Sequence, residues 1–292
     1  MVQKASILMS FLGLWISSYL SNNQEFFIGF TLILSFGILH GANDFLLIEK
    51  LKLKEQIKSK LLYLLSIVLF CTFFYNYPNL CFISFIITSS FHFGEQHYID
   101  LEIENEKYHL LLKFIMGFLI LSLLFVNNTI TVLQILKDIS TLKLDENILY
   151  INLICSAFMF ILFMSKLIYQ KKINLEKIFQ FLISIIVLVI IFKTSSLIWG
   201  FTIYFIFWHS IPSMIYQIKY IYSDINFKNF KLYTQNAIIY WILAIIFLFF
   251  YFFYFNKTSF FITAFFTFIS AITFPHTFVI VKMFKAKNKE KD

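Results

Sequence analysis

The 292-residue chain is poor in charge: Asp, Glu and Lys make up 14% of it, and arginine is absent. A water-soluble domain is about a quarter charged, so a soluble enzyme, a disordered chain and a nucleic-acid module are excluded. Glycine and proline are also scarce, with 7 and 3 residues. No internal repeat and no inter-domain linker is visible, and residues 1–292 read as one integral-membrane domain. The three cysteines, Cys71, Cys81 and Cys155, are odd in number, widely spaced and set in apolar runs. That excludes a disulfide framework or a metal clip and makes them core residues. Alternation of polar and apolar positions is missing as well, which excludes a transmembrane β-barrel.

What is present is apolar surface. Hydrophobic residues make up 60% of the chain and the mean hydropathy is +0.79. A helix needs about 20 residues at 1.5 Å rise to cross a hydrocarbon core. Cutting at the polar clusters predicts ten such helices, at 5–21, 26–48, 60–77, 79–97, 108–126, 147–168, 175–193, 196–217, 234–256 and 259–282. The fold class is therefore all-α, a polytopic transmembrane bundle. In lipid only a helix satisfies its own backbone. With loops placed alternately, 20 of the 24 lysines fall on one side, leaving Lys137, Lys143, Lys193 and Lys257 on the other. By the positive-inside rule both termini are cytoplasmic. The net charge of +8 then reflects topology and contact with anionic lipids rather than nucleic acid. Lys4 and the apolar run after it could be read as a signal peptide, but cleavage would leave an odd span count against the lysine distribution. The run is expected to stay as a helix. The outer loop 127–146 carries Val132, Leu133, Ile135, Leu136, Ile139 and Leu142, the spacing of an amphipathic helix in the interface.

Ionisable residues inside spans are costly and usually mark function. Of six histidines, His40 and His209 each lie ten residues before a lysine and His276 lies six before one, about 15 Å and 9 Å along their helices. His92 lies eight before Asp100. These four occupy the second, fourth, eighth and tenth predicted helices, all running the same way, at similar depth in the cytoplasmic half. A single histidine in a bundle is ordinarily a polar residue bonded to a neighbouring helix. Four at one level point instead to a buried metal site with His40, His92, His209 and His276 as ligands, since neutral imidazole is the commonest metal ligand. His97 and His109 fall at the interface near Asp100, Glu102, Glu104 and Glu106 and are expected to be solvated.

Two carboxylates accompany the four. Asp44 follows His40 by four residues, hence on the same helical face, and Glu95 follows His92 by three. A carboxylate beside a ligating imidazole accepts its second N–H, fixes the tautomer and offsets the cation. The plainer alternatives are pairing with a lysine or another helix for Asp44 and an interfacial position for Glu95. Gly37, Gly41, Gly94, Pro212 and Pro275 cluster at the same places, allowing close helix approach and bends. The 21% aromatic content is best explained by compositional bias, because bulk composition cannot locate a pocket. Phe91, Phe93, Trp208 and Phe274 remain candidate wall residues beside the histidines.

The segments Gly37-Ile38-Leu39-His40-Gly41-Ala42-Asn43-Asp44, Phe91-His92-Phe93-Gly94-Glu95, Trp208-His209-Ser210 and Pro275-His276 resemble, in order, the signature segments of the Brp/Blh family. These are bacterial and archaeal integral-membrane β-carotene 15,15′-dioxygenases. The resemblance implies an Fe(2+) enzyme of the cell membrane that uses O2 to cleave the central double bond of β-carotene into two retinal molecules, often for a microbial rhodopsin. The family's metal ligands match at His40, His92 and His209. In the family a further histidine commonly lies about one turn after the third ligand, where this chain has Ser213. Either His276 completes the site, or three histidines bind the metal, or activity is altered.

Two other functions compete. A metal or proton transporter would place polar residues at successive depths, and here the outer halves of the spans are nearly free of them. A non-catalytic relative that binds carotenoid or assists rhodopsin assembly is the other, with Ser213 as its motive. The expected partners are a lipid-soluble carotenoid and membrane lipids, with no nucleic acid.

Overall fold

The computed structural model describes residues 2–51, 55–98, 106–140, 142, 144–255 and 261–289. Among them the chain is helical throughout, with no strand. The α-helices are α1 (Val2–Ser17), α2 (Asn22–Leu32), α3 (Asp44–Lys50), α4 (Gln56–Asn76), α5 (Pro78–His97), α6 (Glu106–Asn127), α7 (Thr129–Ile139), α8 (Glu146–Tyr169), α9 (Leu175–Thr194), α10 (Leu197–Ile203), α11 (Ile211–Tyr222), α12 (Phe227–Phe255) and α13 (Phe261–Lys289). Two π-helical segments, Ile33–Gly37 and Tyr204–Ser210, interrupt the series. Polar caps set several starts: Asp145 accepts from the Ile148 amide at 3.0 Å, Asn174 from Lys177 at 2.9 Å and Ser196 from Trp199 at 3.3 Å. Each satisfies an amide that the helix itself cannot.

Among the described residues seven helical stretches are long and apolar enough to cross a membrane: α4, α6, α8, α9, α10 with α11, α12 and α13. They mark the chain as a multi-pass membrane protein. The three other predicted spans differ for physical reasons. At 16 residues, α1 is shorter than a full crossing. The stretch predicted as a continuous helix over 26–48 is broken at His40–Asn43. α5 carries Ser89, Ser90, His92 and Glu95 in its second half, polarity that lowers its affinity for lipid. The amphipathic helix expected in the loop is α7. Asp100, Glu102, Glu104, Lys143 and Lys257, on which parts of the sequence reading rest, lie outside the described residues. The cysteines are free thiols; Cys81 is buried as expected, whereas Cys155 is exposed on the apolar surface of α8.

The chain forms two compact units, each gathered from separate segments. The first comprises residues 1–32, 86–137 and 142–209. Its core is α6 packed on α8 and α9, with α10 against α1, α2 and α9. The second half of α5 joins it by backbone-close contact with α6: a Cβ on Gly94 would lie 1.7 Å from the Lys113 carbonyl oxygen, and one on Gly117 1.8 Å from that of Ser90. Only glycine permits this approach. The second unit comprises residues 33–85, 138–141 and 210–292. In it α13 packs on α4, α3 and α12, and α11 on α3 and α12.

Candidate metal centre

In the second unit the chain after the first π-helical segment turns tightly rather than continuing as α-helix. The Asp44 amide, which in a regular helix would bond the His40 carbonyl, bonds the Gly41 carbonyl instead at 3.2 Å. The released His40 carbonyl is taken by side chains, accepting from Gln217 Nε2 at 2.9 Å and from the Tyr233 hydroxyl at 3.2 Å. The Tyr233 hydroxyl shares that one hydrogen with Gln217 Oε1 at 2.8 Å, and Asn43 Nδ2 donates to the Tyr233 carbonyl at 2.9 Å. Broken helices persist in apolar surroundings only when freed backbone groups find such partners. The break is thus held by α11 and α12, and it fixes the backbone that carries the His40 ring.

That ring meets His276 edge-on, with centroids 4.8 Å apart, and ligand-capable nitrogens of the two lie within 4.8 Å of each other. Both residues are buried. His276 Nδ1 lies 2.8 and 2.9 Å from the two oxygens of Asp44, and the Tyr63 hydroxyl donates to Asp44 Oδ2 at 2.7 Å. An ionised carboxylate only accepts; facing one, Nδ1 carries the hydrogen and Nε2 keeps the lone pair, the form in which an imidazole can bind a metal. Pro275 stands within α13, immediately before this histidine. Spacing along one helix placed Asp44 beside His40; because the helix breaks between them, its carboxylate serves His276, 232 residues away.

In the first unit His92 of α5 and His209 of the second π-helical segment form another buried pair, with ring centroids 4.3 Å apart. Aromatic rings hold it: Phe93 edge-on to His209 at 5.1 Å and Phe205 stacked on it at 5.6 Å. The π-helical segment is anchored to α1, where Ser6 donates to the Phe207 carbonyl at 2.6 Å and Ser10 accepts from Trp208 Nε1 at 2.8 Å. π-Helical turns are rare and recur at functional sites. Glu95 is buried and ion-paired with Lys113 of α6 at 2.8 Å. His97 and His109, expected in solvent, are half-buried, His97 stacking on Tyr204 and Trp208.

The predicted ligands are therefore two pairs of buried imidazoles, one in each unit. Ser213 is buried in α11 and accepts from Gln217 Nε2 at 3.2 Å, part of the network that supports His40. Tyr63, Gln217 and Tyr233 escaped the sequence reading. A lone glutamine inside an apolar stretch is the one signal that could have exposed Gln217, whereas tyrosine is too common here to single out two of sixteen.

The donor set fits a divalent transition metal: neutral imidazoles buried among apolar side chains, one of them held in a metal-binding tautomer by a carboxylate. A family model described as beta-carotene 15,15'-dioxygenase matches residues 31–284, which include all four histidines. No curated protein and no solved structure matches the chain.

Proposed function

Since the chain belongs to the β-carotene 15,15′-dioxygenase family, we propose that it is an iron-dependent oxygenase cleaving the central double bond of β-carotene. One C=C bond and O2 become two C=O groups, one on each retinal, with no external reductant. His40, His92, His209 and His276 would hold one Fe(2+), with Asp44 and Glu95 supporting the ligands. Iron(II) would supply the activation of O2 there, and imidazole ligands suit such a metal.

The chain's own groups do the rest. Asp44, steadied by Tyr63, holds the Nδ1 hydrogen of His276 and so leaves Nε2 as the ligating nitrogen. The side-chain network around the His40 carbonyl fixes the second imidazole, and Phe93 and Phe205 do so for His209 without adding charge. Neutral imidazoles would leave the charge of a bound cation intact. The apolar surroundings keep water away and suit a substrate that is soluble only in lipid.

The observation that carries this reading is the Asp44 grip on His276 next to His40, an arrangement that ligating histidines characteristically show. We propose further that the protein forms one domain of ten spans in a bacterial inner membrane with both termini cytoplasmic. The lysine distribution supports this. The retinal produced suits a microbial rhodopsin as its user.

Expression in a carotene-producing bacterial host tests the reaction. The account expects loss of orange colour and accumulation of retinal, both abolished by His40→Ala. Persistent colour without retinal, with the protein present in the membrane, refutes it.

A further inference from the structure

The second unit contains a cavity of about 500 Å3, within the range that accommodates a small-molecule ligand. One end is formed by Gly41 and Asp44, at the imidazole pair: a Cβ on Gly41 would lie 3.5 Å from His276 Nδ1. From there the wall follows α13 through Ile272 to Phe268, eight residues before His276 and so about 12 Å along the helix axis. The direction is away from the lysine-rich end of α13. The far end, with Phe247 and Phe268, is wholly apolar.

The flank between α4 and α12 is closed by Val68 and Leu243, and these side chains are 55% and 56% exposed. Both helices are long and apolar enough to cross a membrane, so this flank faces lipid rather than water. Ala42 and Ala244 add little side-chain bulk to the wall. Asp44 and Tyr63, the polar groups at the near end, are bonded to each other. An apolar molecule can slide in sideways without stripping either of water.

We propose that this cavity receives one arm of the polyene substrate lengthwise, through the gap between α4 and α12. Its terminal ring lies against Phe247 and Phe268, and its inner end reaches Gly41, at the Nδ1 edge of His276. The proposal rests on the reaction proposed above for the identity of the ligand. A polyene cut at its centre must extend away from the metal on both sides. The cavity offers a slot of suitable direction for one half, and burial of hydrocarbon against its aromatic end drives binding.

The test is anaerobic binding of β-carotene to purified protein in lipid nanodiscs, read by polyene absorbance per chain, where no turnover consumes the ligand. Wild type is expected to bind. Ala244→Trp, which fills the slot at a distance from the histidines, should weaken binding at least tenfold. Ala244→Leu, a smaller obstruction less demanding on folding, should weaken it to an intermediate degree. Leu65→Trp on the lipid-facing side of α4, outside the cavity, should bind as wild type does. Thermal unfolding confirms that each variant is folded.

Absence of binding by folded wild type overturns the proposal. So does equal binding by folded wild type, Ala244→Trp and Ala244→Leu, the result expected if a lipid acyl chain occupies the slot. Aerobic retinal formation is read separately. Retinal with no effect of Ala244 substitution removes the cavity and leaves the reaction standing, whereas slot-dependent binding without retinal supports the cavity and removes the reaction.

Discussion

His276 and His209 are both buried imidazoles, yet the two units hold them by different means. Around His276 and its neighbour His40 the restraint is polar: a carboxylate on Nδ1, a tyrosine on the carboxylate, and Gln217 and Tyr233 on the carbonyl freed by the helix break. Around His209 and His92 it is aromatic, with Phe93 and Phe205 on the ring and α1 bonding the π-helical segment from behind. Hydrogen bonds prefer angles above about 150° and weaken steeply below about 120°, and losing one partner leaves the other unsatisfied. Ring contacts are broad, worth about 0.5–1.5 kcal/mol each, and fail gradually. The polar unit should therefore be brittle toward substitution and the aromatic unit tolerant.

That contrast can be broken in three places. Asp44→Ala removes the group that sets the His276 tautomer and should lower retinal formation per folded chain by about ten- to a hundredfold, measured as initial rate in membranes. An effect below threefold would mean that the carboxylate is dispensable. Gln217→Ala leaves the His40 carbonyl with Tyr233 alone, a loss of about 1–3 kcal/mol, and should appear mainly as a lowered thermal midpoint of the purified protein. An unchanged midpoint would show that the break needs no such support. Phe205→Leu, removing the ring stacked on His209, should cost about 1 kcal/mol or less in stability and change the initial rate by only a few-fold. A loss as large as that of Asp44→Ala would erase the distinction between the two units.

How much of this was legible in the sequence depended on whether the signal was local. The apolar stretches were readable to within a few residues because hydropathy and capping residues act locally, as Asp145, Asn174 and Ser196 show. The four histidines were legible because an imidazole in hydrocarbon is conspicuous. The helix break after His40 was not, since Gly41, Ala42 and Asn43 are tolerated inside membrane helices and side chains of distant helices make the break stable. The partner of Asp44 was hidden for the same reason. Helical periodicity relates residues three or four apart, and it could not find a contact made across most of the chain. Glu95 illustrates the converse, a buried carboxylate whose ion pair with Lys113 depends on the close approach of α5 and α6 at Gly94 and Gly117.

We propose that His40, His92, His209 and His276 all serve as iron ligands. The most direct test is the iron content of purified, folded wild type set beside His276→Ala and His209→Ala. About one iron per chain is expected in wild type and a substoichiometric content in both variants. Full iron in either variant, or none in well-folded wild type, would contradict it.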